Sequence, residues 1–386
     1  MKRIVCLGGG PAGLYSAILL RKALPAARIE IYERNRPDDT FGWGVVFSDE
    51  TMGNFRAADP ETHGAIIGNF HHWDDIAIHF GGRKLVSGGH GFAGIGRKKL
   101  LQILQERAHE LGVHQTFRHE VEDDHVFADA DLIVGADGVN SRIRNRHAAI
   151  FQPDVDKRKC RFIWLGTTQS FSAFTFAFER TEHGWFQIHA YQFSKDLSTV
   201  IVETREETWL AHGLDRFDTA QSVAFCEHLF GRYLDGHRLQ SNAAHLRGSA
   251  WLNFPRVICK RWHHDKLVLI GDAAHTAHFS IGSGTRLAIE DAIALTKALE
   301  AEGDTAAGLA RYQNERQPTV SKLVTAARAS ADWYAKFPEH MKLDLMDFAH
   351  SYITRSGRID DARLRAMSPA FMARFEASRR RSASGS

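Results

Sequence analysis

Cysteine is scarce in this chain. The four cysteines, Cys6, Cys160, Cys226 and Cys259, are scattered and form no CxxC pair. That spacing excludes a zinc ribbon and a dithiol redox centre, and reads as four reduced thiols. Long apolar runs are lacking too. None approaches the ~20 residues that cross a bilayer. The first apolar segment, residues 4–7, runs straight into glycines, too short for a signal-peptide core. The expected setting is cytoplasmic, with no membrane partner. A surplus of one charge is also absent. Forty-nine Lys and Arg against 46 Asp and Glu leave +3, which is no nucleic-acid footprint. The Arg379-Arg380-Arg381 run near the end is expected to be a frayed, solvated tail. The 22 histidines are dispersed, and adjacent pairs such as His71-His72 point apart on a strand or helix. No metal site is expected.

What remains is an ordinary enzyme composition, 44% hydrophobic and 25% charged over 386 residues, enough for one large or two medium domains. Residues 3–7 read as a buried strand, 12–24 as a helix and 29–32 as a second strand. This β-α-β unit opens a doubly wound sheet. A helix is expected over 97–111 and a strand over 131–135. From about 161 to 204 aromatic and β-branched residues take over, in the pattern of antiparallel strands. Helical spacing resumes near 219–233, a strand is expected at 267–270, and helices at 283–300, 305–336 and 360–378.

Three segments carry the chemistry. Gly8-Gly9-Gly10-Pro11-Ala12-Gly13 matches GxGxxG between the first strand and helix. Gly8 permits a tight turn, Gly10 a close backbone approach to a pyrophosphate, and Gly13 close helix–strand packing. The helix N-terminus faces the phosphates. Glu33, 20 residues after Gly13, ends the second strand and suits ribose hydroxyls. Alone, this motif says only dinucleotide. The second segment, around Asp137-Gly138, puts a carboxylate and an approachable backbone at a strand's carboxyl end, where open α/β sheets bind ligands. In the third, Asp272 ends a buried strand and suits a polyol hydroxyl. There Gly282, Ser283, Gly284 and Thr285 expose backbone N–H groups at a helix start, suited to the electron-rich O2 edge of a flavin.

The set GGGPAG, GADGVNSRIR and GDAAHTAHFSIGSGTRLAIEDA resembles the flavoprotein aromatic hydroxylases with a single Rossmann domain, the group that includes p-hydroxybenzoate hydroxylase. The resemblance covers nearly the whole chain. It implies FAD as cofactor, with Gly8, Gly10, Pro11, Ala12 and Gly13 at the pyrophosphate, Glu33 and Arg34 beside it, Asp137 and Gly138 serving FAD and the nicotinamide, and Asp272 on the ribityl chain. Arg97, at the start of the helix before the middle motif, and Gly44-Val45 are expected near the flavin. One departure stands out. The family usually follows GDAAH with His-x-Pro-Pro, whereas here the residues are His275-Thr-Ala-His278-Phe279-Ser280.

Segments such as Phe41 to Ser48, Phe162 to Thr167 and Ile188 to Tyr191 narrow the resemblance. They look like the salicylyl-CoA 5-hydroxylases and 2-aminobenzoyl-CoA monooxygenases, and also like an indole-ring hydroxylase. The implied fold is α/β. It has a discontinuous Rossmann-like FAD-binding domain (1–70, 95–155, 258–330), an inserted antiparallel β-sheet substrate domain (71–94, 156–257) and a C-terminal helical region (331–386). The implied reaction uses NADH or NADPH and O2 to hydroxylate an aromatic acyl-CoA, with oxygen carried as a flavin C4a-hydroperoxide. Two alternatives stay open: hydroxylation of a free indole or phenol, and a flavin reductase without oxygen transfer. His189 and Tyr191, two apart on a strand, face one side and are the catalytic candidates. A hydrogen-bonded structural histidine is the competing reading of His189. Trp164 and Phe186 are expected to pack. Arg83, Arg158, Arg161 and Arg261 are all available to CoA phosphates, and nothing in the sequence chooses among them. A homodimer is open.

Overall fold

The computed structural model describes residues 1–40, 42–157, 159–242, 250–277, 282 and 284–384. Its first layer is a six-stranded sheet in the order His263–His264, Leu267–Leu269, Leu132–Gly135, Arg3–Leu7, Arg28–Tyr32, His114–Thr116. Every neighbouring pair is parallel except the outermost, His263–His264 with Leu267–Leu269. Ile4, Val5 and Cys6 have no exposed surface, as befits a parallel strand covered on both faces. The helix Pro11–Ala23 packs against the helices Arg97–Glu110 and Gly284–Glu302.

The two strands of the ribbon Pro153–Lys157 and Pro255–Cys259 flank the excursion of the chain into a second sheet. That sheet has seven strands, in the order Leu239–Ser241, Cys160–Thr167, Ser198–Arg205, Gly184–Gln192, Phe174–Thr181, Ile76–Phe80, Arg83–Ser87. It is not purely antiparallel, as the aromatic and β-branched pattern suggests. Ile76–Phe80 joins Phe174–Thr181 in parallel, because it arrives from a distant part of the chain rather than through a hairpin. Alternation along the strands sorts the residues. Ile163, Ile188, Val200 and Val202 pack with Cys226 and Phe230 of the helix Thr219–Phe230. Phe176 and Phe178 face the other way, onto the C-terminal helices. A small sheet of Gly44–Ser48, Phe92–Gly96 and His71–Trp73 lies between the two layers.

The C-terminal region departs from expectation twice. The helix anticipated at 360–378 is two helices, Asp361–Met367 and Pro369–Ser384, because Pro369 lacks the N–H needed to continue the first. The Arg379–Arg381 run is not frayed. It lies within Pro369–Ser384, anchored by the buried Phe371 and Met372, and Arg379 Nη1 stands 3.5 Å from Asp347 Oδ1. No helix among the described residues is long and apolar enough to cross a membrane.

Phe348 shows how these helices are held. It is fully buried and stacks on Phe80 of the seven-stranded sheet at 4.1 Å. Truncation leaves a cavity that costs about 3–5 kcal/mol. Phe348→Ala should lower the denaturant midpoint accordingly. A change under about 1 kcal/mol would mean that the helices do not depend on this contact.

Candidate flavin and substrate site

All three sequence motifs leave the carboxyl edge of the six-stranded sheet. There, a cavity of about 1220 Å³ runs from the motif loops to the seven-stranded sheet. Gly10, Pro11 and Ala12 line it from the first motif, Arg34 from just past the strand Arg28–Tyr32, and Asp137 and Gly138 from the second motif. Asp272, Gly282, Gly284 and Thr285 line it from the third, with Gly44, Val45 and Arg97 beside them. Ser283, His278 and Ser280 lie outside the described residues.

The glycines divide by what surrounds them. A Cβ on Gly8, whose φ is +114°, would stand 2.2 Å from the Ala136 carbonyl oxygen, and one on Gly13 2.0 Å from the Gly8 oxygen. These two hold strand, turn and helix together. A Cβ on Gly10, Gly138, Gly282 or Gly284 would meet nothing within 4 Å. Those four face open space. Glu33 stands behind the loop and does not line the cavity. Its Oε2 accepts from Gly9 N at 2.6 Å, and its Oε1 accepts from the Asn35 backbone and side-chain amides at 2.8 and 2.7 Å.

Arg97 Nε and Asp137 Oδ1 are among the buried polar atoms on the cavity wall that have no protein hydrogen-bond partner. Asp137 Oδ2 accepts from Arg142 N at 2.8 Å, at the start of the helix Arg142–Arg146. Burial pushes the Asp137 carboxyl up from its ordinary value, against these hydrogen bonds. Burial also pushes Asp272 up, with His275 and Arg97 opposing. A long ligand with anionic and hydroxyl groups satisfies this set: phosphates on the bare helix N-terminus at Gly10, polyol donors on the carboxylates, and a cation in Arg97. The residues fit FAD.

Buried side chains fix the loops. Arg144 reaches from the second motif to the third, donating to Val139 O at 2.8 Å and Ala273 O at 3.2 Å. Asp291 accepts from Gly271 N, His275 Nε2 and Arg316 Nε at 2.9, 2.8 and 2.7 Å. Burial disfavours the Asp291 charge, but His275 and Arg316 outweigh it and hold the carboxyl below its usual range. Arg144 and Asp291 both fall within the sequence motifs, but their spacing carries no sign of this bracing.

At the far end, Gly184–Gln192 turns His189 and Tyr191 to the cavity and Ile188 and Ala190 to the opposite core. His189 meets the Phe176 ring edge-on at 5.2 Å, and its Nε2 lies 3.7 Å from Glu203 Oε2. Gln187 Nε2 holds that same carboxylate oxygen at 2.8 Å. Burial raises the Glu203 carboxyl to about 7, against the Gln187 hydrogen bond and the Arg355 charge. Tyr191 is committed elsewhere. Its hydroxyl donates to Gly44 O at 2.7 Å, and Gly44 N donates to Thr199 Oγ1 at 2.8 Å, so it pins the Gly44–Ser48 strand. Phe186 packs in the opposite core as expected, but Trp164 lines the cavity. Tyr352 and Arg355, from the C-terminal region, also line it and carry no signal in the sequence.

A family model described as an FAD binding domain matches residues 2–327. The chain is 43% identical over 365 residues to a salicyloyl-CoA 5-hydroxylase of Streptomyces sp, covering 92% of this chain and 70% of that one. The chain belongs to the FAD-dependent aromatic hydroxylases, which are monooxygenases. The hydroxylase is also 34% identical over 357 residues to the 3-hydroxy-4-methyl-anthranilyl-(aryl-carrier protein) 5-monooxygenase of Streptosporangium sibiricum, covering 92% and 95% of the two chains. Its fold matches crystalline 2-methyl-3-hydroxypyridine-5-carboxylic acid oxygenase with a TM-score of 0.71 at 18% identity, over 92% of this chain and 96% of that one. FAD is thus the hydroxylase's cofactor, and NAD(P)H the co-substrate typical of its family.

Two tests follow from the loop geometry. Gly10→Val should leave the fold within about 1 kcal/mol, the usual scale of an N-cap change, yet cut FAD affinity at least ~10-fold. Gly8→Ala should instead destabilise the hydroxylase itself by about 3 kcal/mol or more. Equal flavin content in both variants would contradict the assignment. For Asp291, the depressed folded-state value means its contribution is present above the unfolded value near about 4 and lost as pH falls through the folded one. Asp291→Asn should cost about 3–5 kcal/mol at neutral pH and flatten the acid limb of the stability curve. An unchanged limb would remove Asp291 from that role.

Proposed function

We propose that this hydroxylase acts on an aromatic acyl-CoA thioester, converting salicylyl-CoA to gentisyl-CoA at the expense of NAD(P)H and O2. The observation that carries this reading is the likeness, over 92% of this chain, to two enzymes whose names specify an aromatic acyl group, one on CoA and one on a carrier protein. The cavity supports it. Its inner end meets the FAD loops, Phe174, Phe176 and Trp164 give an aromatic wall, and Lys157 and Lys159 line it where it reaches solvent.

When bound, FAD would supply the redox chemistry: hydride acceptance from NAD(P)H, and transfer of one atom of O2 to the ring with the other released as water. The chain's own residues set the conditions. Phe174, Phe176 and Tyr352 exclude water, which otherwise diverts reducing equivalents into H2O2. His189 takes the phenolic proton and so raises electron density at the ring carbon to be hydroxylated. The imidazolium formed lies 3.7 Å from Glu203, whose carboxylate offsets the charge. The site residues Gly10, Arg97, Asp137 and Asp272 hold the flavin in this reading, with Glu33 bracing the loop. The same reading places the enzyme in the cytoplasm, where its four free thiols stay reduced.

The deciding assay follows NAD(P)H oxidation and product with salicylyl-CoA, anthraniloyl-CoA and the free acids. Stimulation by thioesters is expected, and stimulation by free acids alone would overturn the reading. His189→Ala should slow hydroxylation by ~10²-fold or more and raise the H2O2 formed per NAD(P)H consumed. Unchanged coupling would return His189 to a structural role.

A further inference from the structure

A second cavity of about 360 Å³ lies beside the large one, and Lys157 and Lys159 form part of both walls. The two lysines are exposed, and neither is taken up in an ion pair among the described residues. Behind them the second cavity is aromatic. Trp185 and Tyr334, both half-buried, and the buried Phe337 supply its walls. It also contains acids, but their charge is offset. Asp156 lies 3.8 Å from Arg256, Asp332 lies 3.7 Å from Arg328, and Glu203 Oε2 accepts from Gln187 Nε2 at 2.8 Å and faces His189 Nε2 at 3.7 Å. Arg205 also lines this cavity, but its Nη2 lies 2.9 Å from Glu207 Oε1, so the lysines are the cations of this wall without an ion pair among the described residues.

This geometry resolves the choice among basic residues that the sequence leaves open. Arg83 and Arg261 line neither cavity. Arg158 lies outside the described residues. Arg161 lines the large cavity, but its Nη2 donates to Glu206 Oε1 at 2.5 Å and its guanidinium sits 4.7 Å from the Trp209 ring centre. Lys157 and Lys159 are the cations placed where an arm leaving the flavin cavity enters the next one.

We propose that the second cavity binds the phosphorylated adenosine end of the CoA thioester, with phosphates on Lys157 and Lys159 and adenine against Trp185 and Tyr334. Ammonium groups bind phosphate as point charges, and purines stack on aromatic side chains. A small, largely apolar cavity with a few convergent charges is the usual form of such a site. Binding energy gained there, remote from the reacting ring, helps hold the aryl group against the flavin. The assignment rests on the thioester reading of the function.

The test uses the full-length, FAD-loaded enzyme with two substrates: salicylyl-CoA and salicylyl-pantetheine, which has the same thioester without phosphates or adenosine. Wild type should show a KM about tenfold or more lower for the CoA thioester. Lys157→Glu with Lys159→Glu should raise that KM to the level of the pantetheine thioester, whose own KM should not move. Arginine at both positions should restore the difference, added salt should erode it, and Trp185→Ala should reduce it. Equal KM values for the two thioesters on wild type, or a glutamate variant that keeps the wild-type difference, would overturn the second-cavity site alone. Turnover of neither thioester would overturn the function and the site together.

Discussion

The buried carboxylate of Asp291 is the interaction on which the flavin site depends. It accepts from the Gly271 amide, from His275 and from Arg316, and so locks the Asp272 turn to the helices Gly284–Glu302 and Thr305–Ala335. Removing one partner from such a cluster leaves a buried charge uncompensated, so all three contacts stand or fall together. Arg144 then carries the constraint across to the second motif through carbonyls of both loops. Three segments far apart in sequence become one rigid rim. A flavin needs that rigidity, because its reactive ring must be held against a substrate supplied by a different sheet.

Much of this rim is legible in the sequence. Gly8 and Gly13 obey a local rule, a turn between a strand and a helix, and local rules survive folding. The middle and late motifs are readable for the same reason: each couples a buried strand to a polar turn. Legibility fails where the contact is distant. Nothing in residues 76–80 announces a parallel partner at 174–181. Nothing in Tyr352 or Arg355 announces a place on the cavity wall. Trp164 reads as a packing residue because burial and cavity lining use the same residue type. The Arg379–Arg381 run reads as a solvated tail because of its charge, while Phe371 and Met372 a few residues earlier anchor the helix that carries it.

The structure also separates residues that look alike in the sequence. His189 and Tyr191 share a strand face, but Tyr191 spends its hydroxyl on Gly44, and only His189 stands against a titratable partner. Glu33 has the position of a ribose ligand, yet its carboxylate already carries the backbone of the loop it faces. In both cases a polar side chain anticipated at the ligand holds the frame that meets the ligand. The substrate end follows the same logic, with aromatic walls excluding water and the cations set toward solvent at Lys157 and Lys159.

The most direct test of the flavin assignment is a crystal structure of the FAD-loaded protein. The expected result is one FAD per chain, its pyrophosphate against Gly10, its ribityl hydroxyls at Asp272, and its isoalloxazine edge at Gly282 to Thr285 facing His189 across the substrate space. A flavin seated elsewhere, or with its pyrophosphate away from Gly10 and Arg97, would contradict it.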